Sequence, residues 1–153
     1  MRVVDILAED LVIPHLHSTT KSDVLRELAQ HLATQRSDIQ IEQLVTVLLD
    51  RERLGTTAIG EGIAIPHGKL PGLPGVVAVF GRSVQGVDCH SLDGLPTKLF
   101  FLLVAPEESA GIHLKALARI SRLLKDKAFR ERLLQNDSQK ALYQVICEED
   151  AKL

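Results

Sequence analysis

The residues best suited to chemistry in this 153-residue chain lie in one stretch, where His67 stands between Pro66 and Gly68. The apolar run Ile63–Ile65 before them predicts a buried strand, and α/β proteins usually bind ligands where such strands end. Proline fixes one backbone angle and glycine permits unusual ones, so we expect His67 on a rigid bend. Histidine suits nucleophilic attack or proton transfer near neutral pH. The alternative is an ordinary, hydrogen-bonded loop histidine.

A second histidine, His113, follows another apolar run, Leu99–Val104, and lies near the start of a predicted helix. It shares an apolar stripe with three later residues of that helix, Leu117, Ile120 and Leu124. We therefore expect His113 to face the sheet. The positive N-terminal end of the helix favours a neutral imidazole. His113 alone is equally well explained as a core histidine. Two histidines that each follow a central strand can, however, meet at one edge of the sheet.

The elements that must position these side chains follow from hydrophobic periodicity. A helix is predicted after Thr20, which could form a capping pair with Asp23, and a second over Ile41–Arg53, ending before Gly55. Short β-branched and apolar runs then predict strands at Thr57–Ile59, Ile63–Ile65, Val76–Arg82 and Lys98–Val104, with a candidate short strand at Gly86–Cys89. Three helices are predicted at the end of the chain: Ile112–Leu124, Lys127–Leu134 and Gln139–Cys147.

This order of helices, strands and helices predicts an α/β fold, with a mixed β-sheet flanked by helices on both faces. Two of the predicted strands, Ile63–Ile65 and Leu99–Val104, are apolar on both faces, as expected of central strands covered by helices. Neither a linker nor an internal repeat interrupts the pattern, so residues 1–153 are expected to form a single domain.

Composition excludes several classes of protein. Eighteen Lys and Arg against twenty Asp and Glu, with 3% aromatic residues and no Trp, argue against a nucleic-acid binder. No apolar run approaches the ~20 residues of a membrane span, so no membrane insertion is expected. Met1–Asp10 carries acids where a signal peptide has an apolar core. Cys89 and Cys147 lack CxxC spacing, so we expect reduced thiols and a cytoplasmic protein.

No cofactor or metal ion is expected. Gly62 stands one residue too far from the Gly68-Lys69 pair for a nucleotide-binding P-loop, and the next residue is not the Ser or Thr that coordinates magnesium. His15 and His17 could share one face of a strand, but no third metal ligand lies near them in the sequence.

The segment GIAIPHG, followed by Lys69 and Leu70, resembles the active-site segment of a known family. That family is the IIA domains of the phosphoenolpyruvate-dependent phosphotransferase system, of the fructose–mannitol type, also called type 2. Upstream, Arg51–Thr57 (RERLGTT) resembles the family's R-E-x-x-G-[ST]-T stretch, and downstream Leu99–Val104 with His113 resembles a further block. The similarity runs from position 5 to about position 146. IAIPHGKL, the solitary domain and the ending ALYQVI are most similar to the nitrogen-regulatory members.

The resemblance implies a phosphohistidine carrier, more than a turnover enzyme. It implies that His67 accepts a phosphoryl group from the phosphocarrier HPr or its nitrogen-branch relative, and that His113 positions or stabilises that group. Arg51 matches the arginine expected near the phosphate, whereas its simplest role without the resemblance is a surface ion pair with Glu52. Three further phosphate-binding candidates are weaker inferences from hydroxyl and backbone N–H donors: Thr56, Thr57 and Gly68.

Three functions remain open from the sequence. The leading hypothesis is a phosphoryl carrier whose phosphorylation state regulates target proteins in nitrogen or other metabolism, since we expect a single domain without an attached transport domain. A sugar-specific IIA subunit that passes its phosphoryl group to a IIB partner uses the same chemistry. A non-catalytic regulatory binding module would keep the fold without the chemistry. A histidine-dependent hydrolase ranks last, because no nucleophile elbow or metal set is recognisable.

Overall fold

The structure, a computed structural model, describes residues 1–153. It contains six strands and five helices. The strands are β1 (Val12–Ile13), β2 (Ala58–Gly60), β3 (Ile63–Ala64), β4 (His67–Leu70), β5 (Val77–Val87) and β6 (Thr97–Pro106). The helices are α1 (Lys21–Gln35), α2 (Ile41–Arg53), α3 (Ala110–Leu124), α4 (Lys127–Gln135) and α5 (Gln139–Asp150). Two short 3₁₀ turns, Val3–Asp5 and Glu9–Leu11, precede β1.

The strands form one mixed sheet in the order β1-β5-β6-β3-β2, with β4 also paired to β6. β5 and β6 are antiparallel, whereas β1 runs parallel to β5, and β3 and β4 run parallel to β6. Every residue from Leu99 to Ala105 of β6 is buried, which requires cover on both faces of the sheet. α1 and α2 pack together as one group, and α3, α4 and α5 as another. The predicted α/β fold with a mixed, helix-flanked sheet is confirmed.

The helices begin and end largely where the sequence predicted. The Thr20 side chain caps α1 by accepting a hydrogen bond from the Asp23 backbone N–H at 3.3 Å. α2 has the predicted bounds, and Gly55, at φ +145°, lets the chain leave the helix while its N–H donates to the Glu52 carbonyl at 3.1 Å. This turn brings the end of α2, with Arg51, to the strands that follow it.

The strand predictions need two corrections away from the site. β1 was not predicted, because two residues are too short for a periodic signal, and the strand forms only by pairing with Phe80 and Gly81 of β5. The separate segments predicted at Val76–Arg82 and Gly86–Cys89 fall largely in one strand, β5, which ends at Val87 and whose register against β6 shifts between Arg82 and Val87. The irregular pairing interrupts the alternation on which the prediction relied.

The predicted bend at His67 is wrong. β3 and β4 follow one another along the same side of β6, with Ala64 opposite Phe100 and His67 opposite Leu103. Only Ile65 and Pro66 lie between them, and proline has no N–H to donate to a strand ladder. His67 is therefore the first residue of a second strand segment that continues in the same direction.

Gly68 is needed for space and not for an unusual backbone angle. Its φ is not positive, but a Cβ at this position would collide with Cγ1 of Val47 on α2. The absence of a side chain lets α2 approach β4 closely. The helix that carries Arg51 is thereby held against the strand that carries His67.

We expect Gly68→Ala to lower the free energy of unfolding by about 1–3 kcal/mol, because the new methyl group must displace Val47 or all of α2. The urea midpoint measures the effect, and Gly75→Ala is the matched control, since a Cβ there meets no atom within 4 Å. Adding Val47→Ala to Gly68→Ala should restore part of the loss. Equal midpoints for the two glycine variants would show that the close approach is not required.

Candidate active site

The His67 ring is held by hydrogen bonds at both nitrogens. Nδ1 lies 2.8 Å from the Ile65 carbonyl oxygen, and Nε2 lies 3.2 Å from Nε of Arg51. A carbonyl can only accept and a guanidinium can only donate, so Nδ1 carries the hydrogen and Nε2 carries the lone pair. The structure thus selects one tautomer, in which Nε2 is the ring atom with a lone pair, the form that nucleophilic attack requires.

The surroundings of His67 also keep the ring uncharged. Burial lowers the pKa of His67 below its ordinary value, and the positive charge of Arg51 lowers it further. The Ile65 carbonyl and the Glu52 carboxylate act in the opposite direction on this pKa, without reversing the shift. The Nε2 lone pair is therefore available at neutral pH.

His113 lies against His67, which joins the two histidines singled out in the sequence. It is buried on the inner face of α3, and its ring centroid lies 5.4 Å from that of His67, with the rings tilted by 55°. Burial lowers the pKa of His113, and the neighbouring His67 and Lys69 lower it further. Nδ1 of His113 is buried without a hydrogen-bond partner. The site therefore contains two neutral imidazoles.

Arg51 is anchored beside Nε2 of His67. Its Nη1 donates to the Gly55 carbonyl at 2.9 Å, while Nε donates to His67 Nε2. The surface ion pair between Arg51 and Glu52, the alternative that the sequence left open, is not formed. The Glu52 carboxylate lies 2.7 Å from Nζ of Lys21 instead. The Arg51 guanidinium thus places an unpaired positive charge at the ring that bears the lone pair.

The hydroxyl groups of Thr56 and Thr57 donate to other acceptors. The Thr57 hydroxyl donates to the Glu52 carboxylate, and the Thr56 hydroxyl donates to the Cys89 carbonyl at 2.7 Å. Both residues connect parts of the site, but neither points a free O–H at the imidazole. Glu52 and Lys21 are the site residues that sequence reasoning missed. Glu52 stands inside the RERLGTT segment, which was a usable signal, whereas nothing near Lys21 in the sequence indicated it.

Exposed apolar side chains occur beside these polar residues in the sequence. Leu54 follows α2 three residues after Arg51 and is 84% exposed, and Ile112 and Leu114 flank His113 on α3 and are 52% and 64% exposed. Exposed large apolar side chains near a site commonly mark a protein-binding surface.

No group of three or more His, Cys, Asp or Glu side chains lies where it could hold a metal ion. None of the helices combines the length and the apolar character needed to cross a bilayer.

Acid should destabilise the fold through the two histidines. Both have a pKa lowered in the folded state, so they contribute stability that is fully present above the unfolded value, about 6.5, and lost as pH falls toward the folded pKa. We expect the urea midpoint to fall between about pH 7.5 and about pH 5.5, and to fall less for His67→Gln/His113→Gln. The exposed control, His15→Gln, should keep the wild-type dependence. An unchanged slope in the double variant would contradict this origin.

Comparison with known proteins places this geometry in a family. The family model described as phosphoenolpyruvate-dependent sugar phosphotransferase system, EIIA 2, matches residues 5–149. A nitrogen regulatory protein of Bradyrhizobium diazoefficiens is 44% identical over 147 residues, which are 95% of each chain.

Solved structures agree. The nitrogen regulatory protein IIA-Ntr from Neisseria meningitidis superposes with a TM-score of 0.87 at 28% identity, over 94% of this chain and 98% of that one. Mannitol enzyme IIA from Escherichia coli, solved in complex with phosphorylated enzyme IIB, shares the fold with a TM-score of 0.74 at 23% identity, over 92% and 96% of the chains. The chain that brings His67, His113 and Arg51 together therefore belongs to the EIIA type 2 family of the phosphoenolpyruvate-dependent sugar phosphotransferase system.

Proposed function

We propose that this chain is a cytoplasmic phosphoryl carrier that accepts a phosphoryl group on Nε2 of His67 from HPr or its nitrogen-branch relative, and acts mainly in regulation. The observation that carries the proposal is the pair of hydrogen bonds on the ring, with Nδ1–H on the Ile65 carbonyl and the Nε2 lone pair beside Arg51. Such an imidazole is a nucleophile prepared in one orientation.

These hydrogen bonds on the His67 ring support the following phosphoryl-transfer step. The Nε2 lone pair forms a bond to phosphorus while the bond between phosphorus and the donor's side chain breaks, and that electron pair leaves with the donor. The ring becomes cationic, and the Nδ1–H bond to the Ile65 carbonyl stabilises this charge. Arg51 gives up its bond to Nε2 and donates to the phosphoryl oxygens, whose charge the guanidinium offsets.

His113 is proposed to orient the phosphoryl group and not to receive it. Its ring lies 5.4 Å from the nucleophile's ring, close enough to contact a group attached there. We expect His113→Ala to slow acceptance by about tenfold, since one hydrogen-bonding partner of the phosphoryl oxygens is lost. Single-turnover transfer from the phosphorylated donor measures the rate of acceptance, and circular dichroism checks that the variant is folded. Identical rates for wild type and variant would remove His113 from the mechanism.

The partner in this step is proposed to be a protein, because exposed Leu54, Ile112 and Leu114 occur beside Arg51 and His113 in the sequence. A regulatory role draws support from the 44% identical relative, whose name is nitrogen regulatory protein. Regulatory target proteins are then the recipients of the signal. The alternative, transfer to a sugar-specific IIB domain, draws on the mannitol IIA structure with its phosphorylated IIB, which shares the fold.

The deciding experiment incubates the purified chain with phosphoenolpyruvate, enzyme I and HPr, or with the nitrogen-branch pair, and records the intact mass. We expect the gain of one acid-labile phosphoryl group. The phosphorylated chain is then mixed with sugar-specific IIB domains, to which it should not transfer. Transfer to a IIB domain would replace the regulatory proposal with the sugar-specific one, and no gain with either relay would favour a binding module.

A further inference from the structure

The Glu52 carboxylate is the most heavily bonded acidic group near the site, although it does not touch the His67 ring through a hydrogen bond. Its side chain is 8% exposed and accepts from the Thr57 backbone N–H at 3.0 Å and from the Thr57 hydroxyl at 2.5 Å. Nζ of Lys21, on α1, lies 2.7 Å away. A buried carboxylate is strongly unfavourable unless it is paired and hydrogen-bonded, and here every partner is supplied.

Hydrogen bonds connect Thr57 to the His67 ring through Ile65. The Thr57 carbonyl accepts from the Ile65 backbone N–H at 3.1 Å. The Ile65 carbonyl in turn accepts from Nδ1–H of His67 at 2.8 Å. Ile65, whose carbonyl orients the imidazole, is therefore hydrogen-bonded to Thr57. Thr57 is in turn hydrogen-bonded to the Glu52 carboxylate.

The same segment also anchors Arg51. The Gly55 N–H donates to the backbone carbonyl of Glu52 at 3.1 Å, and the Gly55 carbonyl accepts from Nη1 of Arg51 at 2.9 Å. The Ile65 N–H and Nη1 of Arg51 thus both donate to backbone carbonyls within residues 55–57. Glu52 closes this segment onto the end of α2, because its side chain bonds Thr57 and its backbone bonds Gly55.

We propose that Glu52, with Lys21 as its counter-ion, is a positioning residue for phosphoryl transfer, which rests on the proposed function of His67. Glu52 holds the 55–57 segment so that the Ile65 carbonyl keeps the hydrogen of His67 on Nδ1 and leaves the lone pair on Nε2. Lys21 holds the Glu52 carboxylate in place through their ion pair at 2.7 Å, and its Nζ also donates to the Thr56 hydroxyl at 3.3 Å. Neither residue contacts the phosphoryl group.

The test compares Glu52→Ala with wild type in two measurements. Nitrogen-15 NMR of the His67 ring reports the tautomer without any phosphoryl donor, and we expect the Nε2–H form to appear in the variant. The single-turnover transfer rate at saturating phosphorylated donor should fall about tenfold or more, because an imidazole in the wrong tautomer or orientation does not attack. The donor concentration for half-maximal rate should stay unchanged, since Glu52 and Thr57 lie below the surface that meets the donor.

Two variants separate positioning from general stability. Glu42→Ala removes an ion pair from the same helix, with Arg26, but Glu42 is 67% exposed and distant from the 55–57 segment in sequence, so the tautomer and rate should stay at wild type. Glu52→Gln keeps a carbonyl oxygen for the Thr57 N–H, so it should restore the Nδ1–H tautomer and most of the rate, with a remaining deficit of about threefold from the weaker, uncharged bonds.

If Glu52→Ala does not fold, Lys21→Met tests the proposal in its place. This variant removes the counter-ion but leaves both hydrogen bonds from Thr57 to the Glu52 carboxylate possible. A rate lowered about threefold, with some Nε2–H form, supports the proposal. The proposal is overturned if Glu52→Ala folds and keeps the wild-type tautomer and transfer rate. Where Glu52→Ala does not fold, the same result for a folded Lys21→Met overturns it. If wild type accepts no phosphoryl group at all, the proposed function fails, while the NMR comparison still decides whether Glu52 sets the His67 tautomer.

Discussion

Phosphoryl acceptance is expected to be abolished in His67→Ala, which makes this the largest effect of any single substitution in the chain. The variant lacks the Nε2 atom that is bonded to Arg51 and that carries the lone pair in the tautomer held by Ile65. His113 cannot replace it, because it is 7% exposed and packs against the sheet. Intact mass after incubation with phosphoenolpyruvate, enzyme I and the phosphocarrier measures the loss.

His67→Gln accompanies the alanine variant, because it fills more of the half-buried space and separates lost chemistry from a disturbed fold. His90→Ala is the matched control, since His90 is exposed and bonded only to its neighbour Asp88. The control should gain one phosphoryl group as wild type does. Full phosphorylation of either His67 variant would remove His67 from the role of acceptor.

The second large effect is expected for Arg51→Gln. We expect the transfer rate to fall about 100-fold, the loss typical of removing one preorganised donor that stabilises charge in the transition state. Arg51→Lys should not restore the rate, because an ammonium group cannot donate to His67 Nε2 and to the Gly55 carbonyl from a planar fork. Single-turnover transfer from the phosphorylated donor measures both variants.

Arg53→Gln is the control for Arg51→Gln. Arg53 lies in the same last turn of α2, but its side chain is 73% exposed and pairs with Asp50. We expect a wild-type transfer rate for this variant. Equal rates for the Arg51 and Arg53 variants would mean that the guanidinium beside His67 contributes nothing beyond the general positive charge of the helix end.

Much of the fold follows from local patterns. α2 has the predicted bounds, and the buried strand β6 was predicted from its continuous apolar run, because burial on both faces leaves a signal within a few residues. β1 and β4 were missed for the opposite reason. Each is short, and each exists through its hydrogen bonds to a long strand, β5 or β6, that lies far away in the sequence.

Gly68 shows how a sequence signal can be right in residue and wrong in cause. The sequence suggested that its backbone freedom and Pro66 shape a bend at His67. The structure gives Gly68 an ordinary backbone angle and a close contact with Val47 of α2. Steric contact between two elements has no signature in the local sequence, since the partner surface comes from another helix.

By itself, the sequence determined the class of fold and identified His67 and His113 as candidate site residues, because side-chain chemistry and hydrophobic periodicity are local properties. It also carried the family resemblance, through which alone Arg51 became a candidate. The tertiary structure alone decided the tautomer of His67, the contact between the two histidine rings, and the pairing of Glu52 with Lys21 and not with Arg51. Each of these depends on a distance of a few ångströms between atoms on different elements. Hydrogen bonds and ion pairs fall off over such distances, so only the packed chain selects among partners that the sequence left equally available.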